Sequence, residues 1–144
     1  MWDFQTEADL KSEKSILAIL KKEFPEYNIY SEEEGKTDNG SDYTFVIDPL
    51  DGTNNFVLGI PNFSVSVALF HKNEAIAGVI YQPILNQTYY AIKSEGAYLN
   101  GKSVKVNNIV SPEKITIAYG CGYKTKRDYV ARVMNTLINS DHKR

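Results

Sequence analysis

Asp48 and Asp51 stand three residues apart in the stretch Asp-Pro-Leu-Asp-Gly-Thr, directly after the apolar run 43–47. Pro49 has a fixed φ and pushes Asp48 into an extended conformation, and a turn here can swing Asp51 back toward Asp48. Two converging carboxylates repel, and burial raises the pKa of at least one; a divalent cation removes both costs. Carboxylate and carbonyl oxygens are hard donors that favour Mg²⁺, Ca²⁺ or Mn²⁺ over zinc. Gly52 lets backbone come close to a ligand, and free N–H groups at a helix start attract anions, so metal plus phosphate is the natural pairing. Glu32, Glu33 and Glu34 offer a further carboxylate. They would lie beside Asp48 if their strand neighbours that of Asp48, with Glu32 and Glu34 on one side and Glu33 on the other. A plainer reading stands beside this one: an Asp-Pro-x-Asp-Gly turn held by its own Asx hydrogen bonds, with the glutamates as a solvated edge. Spacing alone leaves the two about even.

The elements that must position these residues follow from local pattern. Residues 6–24 read as a helix, with Thr6 as its cap, Asp9 three residues on, and Ile16, Leu17, Leu20 and Phe24 on one face. Pro25 stops it. A short β-prone run ends in the glutamates, residues 36–42 read as a surface turn, and 43–47 as a buried strand ending at Asp48. Residues 52–59 suit a short helix or turn closed by Gly59. Residues 63–70 and 75–84 read as a hairpin joined by His-Lys-Asn-Glu. Residues 88–106 continue the meander through Asn100-Gly101, 114–121 give one more strand, and 125–139 carry apolar residues at helical spacing. The expected fold is α+β, a largely antiparallel sheet layered with helices.

The totals bound the function classes. A chain of 144 residues, 42% hydrophobic and 24% charged, is expected to form a single domain over residues 1–144. No apolar run approaches the length of a membrane span, and the acidic start lacks an apolar leader core, so a cytoplasmic location and no membrane partner are expected. One cysteine, Cys121, with His71 and His142, cannot build a closed zinc site or an internal disulfide. A net charge of -2 without a basic cluster gives no electrostatic footprint for nucleic acid. Cys121, between two glycines, reads as a small buried residue rather than a nucleophile.

Residues 46–69, Val-Ile-Asp-Pro-Leu-Asp-Gly-Thr-Asn-Asn-Phe through Gly-Ile-Pro to Phe-Ser-Val-Ser-Val-Ala-Leu, resemble the signature of the inositol monophosphatase family. This is the Mg²⁺-dependent, lithium-sensitive phosphatase superfamily that includes fructose-1,6-bisphosphatase. Thr6-Glu7-Ala8-Asp9 resembles the family's Thr-x-x-Asp at a helix start, Ser31-Glu32-Glu33 its small-residue-Glu-Glu element, and residues 95–106 its glycine-containing hairpin. The resemblance spans about residues 3–138. It implies that Glu32 is the carboxylate ligand of a first metal, favoured over Glu33 and Glu34. Asp48 would bridge two metals, Leu50 would offer its carbonyl to the first, and Asp51 would bind the second. Thr53 and Asp9 would form the hydroxyl–carboxylate pair that orients and deprotonates the attacking water, so that Asp9, Thr53 and Glu32 make up the catalytic set. Asp51, Gly52 and Thr53 would face the substrate phosphate. For Asp9, helix capping competes with this role.

The resemblance also implies a second lobe with a Trp-Asp-x-Ala-Ala-Gly element that residues 1–144 do not contain. The expectation is therefore an isolated first lobe, with the second metal site short of a ligand and apolar surface available for self-association or a partner. The implied activity is Mg²⁺-dependent phosphomonoester hydrolysis of an inositol monophosphate or related sugar phosphate. The alternatives are a catalytically impaired metal-binding fragment, or a phosphatase acting on fructose-1,6-bisphosphate or 3′-phosphoadenosine 5′-phosphate. A plain structural domain whose aspartates only make a turn is the last.

Overall fold

The computed structural model describes residues 5–108, 129, 131–133, 135 and 136. The chain separates into two compact units, Met1–Val106 and Asn107–Arg144. In the second, the described residues 129, 131–133, 135 and 136 are helical, and the Thr136 hydroxyl donates to the Arg132 carbonyl one turn back at 2.9 Å. The strand expected over 114–121, and Cys121 with it, lie outside the described residues. The single-domain reading of 1–144 therefore rests, for its last part, on sequence alone.

The first unit opens with helix α1, Glu7–Glu23. Thr6 caps it by accepting from the amides of Ala8 and Asp9, and the Asp9 side chain closes the capping box by accepting from the Thr6 amide at 2.8 Å. Leu17 is buried in the core, where it meets Ile29, Phe45 and Ile47, with Ile16, Leu20, Tyr27, Val67 and Leu69 packed around them. Full burial of each such side chain contributes roughly 1.5–3 kcal/mol.

Eight strands follow with one short helix between them: β1 Asn28–Ser31, β2 Gly35–Thr37, β3 Tyr43–Asp51, α2 Thr53–Val57, β4 Ser64–His71, β5 Glu74–Gln82, β6 Gln87–Ile92, β7 Gly96–Leu99 and β8 Lys102–Val104. Among the described residues they form one sheet in the order β2-β1-β3-β4-β5-β6-β7-β8. Every pairing is antiparallel except β1 with β3. The α+β class with a largely antiparallel sheet is thus observed. From β4 to β8 the chain is a simple meander, as its turn residues predict; Asn100 and Gly101, both at positive φ, make the β7–β8 turn.

Two local expectations are corrected. The glutamates do not extend a strand with alternating side chains; residues 32–34 are the turn between β1 and β2, and β2 takes in Lys36 and Thr37, the first residues of the stretch expected to be surface turn. Nor does the buried strand end at Asp48: β3 runs on through Pro49 to Asp51. The reason lies in its partner. Asp48 pairs with Ser66 and Asp51 with Ser64, so β3 spends one more residue than β4 between these pairs, a bulge that accommodates a proline with no ladder N–H.

Candidate active site

The parallel pairing of β1 and β3 creates the site. Ser31 lies opposite Ile47, so the residues that follow them, Glu32 in the turn and Asp48 in β3, stand at the same level. The Glu32 amide prolongs the ladder by donating to the Ile47 carbonyl at 3.3 Å. Two acids 16 positions apart in sequence thereby meet within hydrogen-bonding reach of each other. The bulge then acts on Asp51. In a regular strand residues three apart point to opposite faces, but one extra residue restores the two aspartates to a common side.

The outcome is a polar cleft of about 510 Å³ whose wall includes Glu32, Asp48, Leu50, Asp51, Gly52 and Thr53, joined by Gln5, Glu33 and Asn54. Asp9 stands behind this wall, 2% exposed, and its Oδ1 accepts from the Thr53 hydroxyl at 3.1 Å. Its Oδ2 serves the helix cap, accepting from the Thr6 hydroxyl at 2.5 Å and the Thr6 amide at 2.8 Å. Capping and pairing with Thr53, competing readings of the sequence, coexist because a carboxylate has two oxygens. The Thr53 hydroxyl also lies 2.9 Å from the Leu50 carbonyl, so its single proton has two acceptors to choose between.

The three glutamates are sorted by their neighbours. Glu33 accepts from the Gln5 amide, and Glu34 pairs with Lys21 at 3.3 Å in an exposed ion pair, which leaves Glu32 to Asp48. Asp48 accepts from the Leu50 amide at 3.1 Å, the Asx bond expected of a turn, and Asp51 accepts from the Ser64 hydroxyl at 3.5 Å. Gly52 at φ +89° is the left-handed residue that starts α2; a Cβ there would lie 3.0 Å from the Asn62 carbonyl oxygen, so both conformation and space demand glycine.

Electrostatics follow from this crowding. Partial burial of the Glu32 carboxyl, then the charge and hydrogen bond of Asp48, raise the Glu32 pKa to about 6. Asp48 is also raised, by burial first and the charge of Asp51 next, against the opposing bonds from the Leu50 amide and the Glu32 carboxyl. Both shifts have the same physical cause, carboxylates drawn together in a partly buried place.

Among the described residues no three His, Cys, Asp or Glu side chains converge as a ready-made metal cluster. The donor chemistry nevertheless suits a hard cation: the candidate donors are oxygens only, and a divalent cation would relieve the repulsion of the carboxylates that line the cleft. The Oδ1 of Asn54, also on this cleft, is buried without a hydrogen-bond partner, an acceptor that a ligand could satisfy.

A family model described as the inositol monophosphatase family matches residues 2–143. The chain belongs to this family. It is 40% identical over 126 residues to a fructose-1,6-bisphosphatase/inositol-1-monophosphatase of Aquifex aeolicus, covering 88% of this chain and 48% of that protein. It is 43% identical over 139 residues to the Nus factor SuhB of Pasteurella multocida, covering 94% of this chain and 52% of that one. The crystal structure of the extragenic suppressor protein SuhB from Bartonella henselae superposes with a TM-score of 0.74 at 38% identity, over 76% of this chain and 43% of the other. The chain spans about half the length of the relatives it matches. The fold matches family structures.

Sequence reasoning passed over Ser12 and Glu13, and read Ser31 only as the small residue before the glutamates. The Ser12 hydroxyl donates to the Pro49 carbonyl at 2.8 Å, and Glu13 accepts from both the Ser31 hydroxyl and the Glu34 amide, the latter at 3.0 Å. The available signal was a polar residue on an apolar stripe: Glu13 lies one turn before the buried Leu17.

Proposed function

We propose that this chain carries the metal-binding part of a Mg²⁺-dependent phosphomonoesterase acting on an inositol monophosphate or a related sugar phosphate. The observation that carries this reading is the meeting of Glu32 with Asp48 on the same cleft wall as Thr53, whose hydroxyl is backed by buried Asp9. Glu32, Asp48, Asp51 and the Leu50 carbonyl would hold the cation. When bound, Mg²⁺ supplies a Lewis acid that lowers the pKa of water and neutralises phosphate charge. The chain's own groups then have distinct work. The Thr53 hydroxyl donates to Asp9 Oδ1 and turns a lone pair outward to align the attacking water; as that water's proton passes to Thr53 Oγ1, the Thr53 proton passes to Asp9, which ends protonated. Asp9, held by the helix cap, is the fixed acceptor behind it. The amides of Gly52 and Thr53, with the Asp51 carboxylate, would define where the phosphate sits.

The names of the relatives support two substrates. The Aquifex protein is a fructose-1,6-bisphosphatase and an inositol-1-monophosphatase, and the chain is 37% identical to the inositol-1-monophosphatase of Mesorhizobium japonicum. The test is phosphate release with Mg²⁺ from inositol 1-phosphate, fructose-1,6-bisphosphate and 3′-phosphoadenosine 5′-phosphate, wild type against Asp51→Asn. We expect the first substrate to be fastest and the variant to lose about 100-fold or more, since it removes charge from a metal site. Equal rates in the two proteins would sink the proposal.

A further inference from the structure

Helix α1 contacts every segment that carries a candidate ligand. Asp9, Ser12 and Glu13 occupy positions i, i+3 and i+4 and so share one face. Asp9 bonds Thr53 at the start of α2, Ser12 bonds the Pro49 carbonyl in the acidic bulge, and Glu13 bonds the glutamate turn. Glu13 is the least expected of the three. It is 2% exposed, and an apolar side chain at a helix position facing a core is ordinarily the more stable choice. Its Oε1 receives two donors, the hydroxyl of Ser31 just before Glu32 and the amide of Glu34 just after Glu33. These two bonds grip both ends of the turn whose first residue meets Asp48.

We propose that Glu13 is a positioning residue for the cation site: it touches no reacting group, and it fixes the Ser31–Glu34 turn so that Glu32 reaches Asp48. This inference rests on the metal-dependent reading above. Charge-assisted bonds to a buried carboxylate are about twice as strong as neutral ones, so the turn has one preferred conformation before any ligand arrives. Groups that orient ligands from behind commonly change metal affinity by about 10–100-fold when removed.

The test uses Mn²⁺ as the probe in calorimetry, with amide hydrogen exchange at Glu34 as a metal-free readout, on wild type, Glu13→Ala, Glu13→Gln and Asp48→Asn. Glu13→Ala should weaken Mn²⁺ binding about tenfold or more and speed Glu34 exchange, with exchange in β4 and β5 unchanged. Glu13→Gln keeps an oxygen that accepts both bonds and should restore affinity to within about threefold of wild type. Faster Glu34 exchange in Glu13→Ala with wild-type Mn²⁺ affinity would overturn the positioning role and leave only a structural one. So would a Glu13→Gln variant as impaired as Glu13→Ala. Wild-type protein that binds no Mn²⁺, or binds it indifferently to Asp48→Asn, would overturn the phosphatase reading itself, a result separate from either of these.

Discussion

The two ends of the sheet are built by different means. At the β2-β1-β3 end, α1 presses on the strands: Leu17, Ile29, Phe45, Ile47 and Leu50 are buried, and polar bonds spanning 18 to 44 residues tie helix to turns. At the β5–β8 end, among the described residues, no side chain is fully buried, and the contacts are those of successive hairpins. A depression of about 350 Å³ there is lined by residues such as Val67, Val79, Tyr90 and Tyr98 and carries no charge, whereas the acidic cleft is lined chiefly by polar groups. The smaller, apolar-lined depression of the meander offers no carboxylate, histidine or cationic side chain for chemistry. Reactive groups gather where long-range bonds can hold repelling charges together.

Mutations should separate the two ends. Ile47, 3% exposed in the core, should cost about 2–5 kcal/mol as Ile47→Ala. Ile80 in β5, 45% exposed, should cost less than about 1 kcal/mol as Ile80→Ala. Urea denaturation of both variants checks this, and equal losses would break the contrast.

A smaller effect belongs to the bulge. Gly52→Ala forces a side chain into a left-handed residue against the Asn62 carbonyl and should cost about 1–3 kcal/mol in the same assay. Wild-type stability in that variant would mean that the turn relaxes freely.

The smallest effect is a pH dependence confined to the acidic end. Glu32 binds its proton more tightly when folded, with a pKa of about 6 against an ordinary 4.5. Its contribution is therefore fully present below pH 4.5 and is lost as pH rises through about 6. Thermal melts of metal-free protein across that interval should fall further for wild type than for Glu32→Gln, and Mg²⁺ should recover the wild-type loss near neutral pH. Parallel curves for the two proteins would remove the coupling between Glu32 and Asp48.

What could be read beforehand was what is local. The helix with its Thr6 cap and Pro25 stop, the β4–β5 hairpin and the Asn100-Gly101 turn are written in contiguous residues, and they are observed. The bulge and the β1–β3 pairing are not local. A bulge exists only relative to the strand opposite, and Pro49 alone reads as a strand end. Parallel pairing depends on where α1 and β1 lie against β3. At the site, the acidic residue types pointed to a hard cation and the resemblance favoured Glu32, but the bonds of Glu33 to Gln5 and of Glu34 to Lys21 join residues distant in sequence and could not be read from local pattern. Glu13 escaped because a glutamate in a helix ordinarily marks its wet side.

Asp9 divides its oxygens between the cap of α1 and the hydroxyl of Thr53. Fraying of the first helical turn therefore also takes Asp9 from the Thr53 hydroxyl and leaves it the Leu50 carbonyl as acceptor. The free energy that keeps α1 wound at its amino end also favours the Thr53 orientation that faces Asp9. Any change that loosens that turn, even at Thr6, reaches the cleft without touching it.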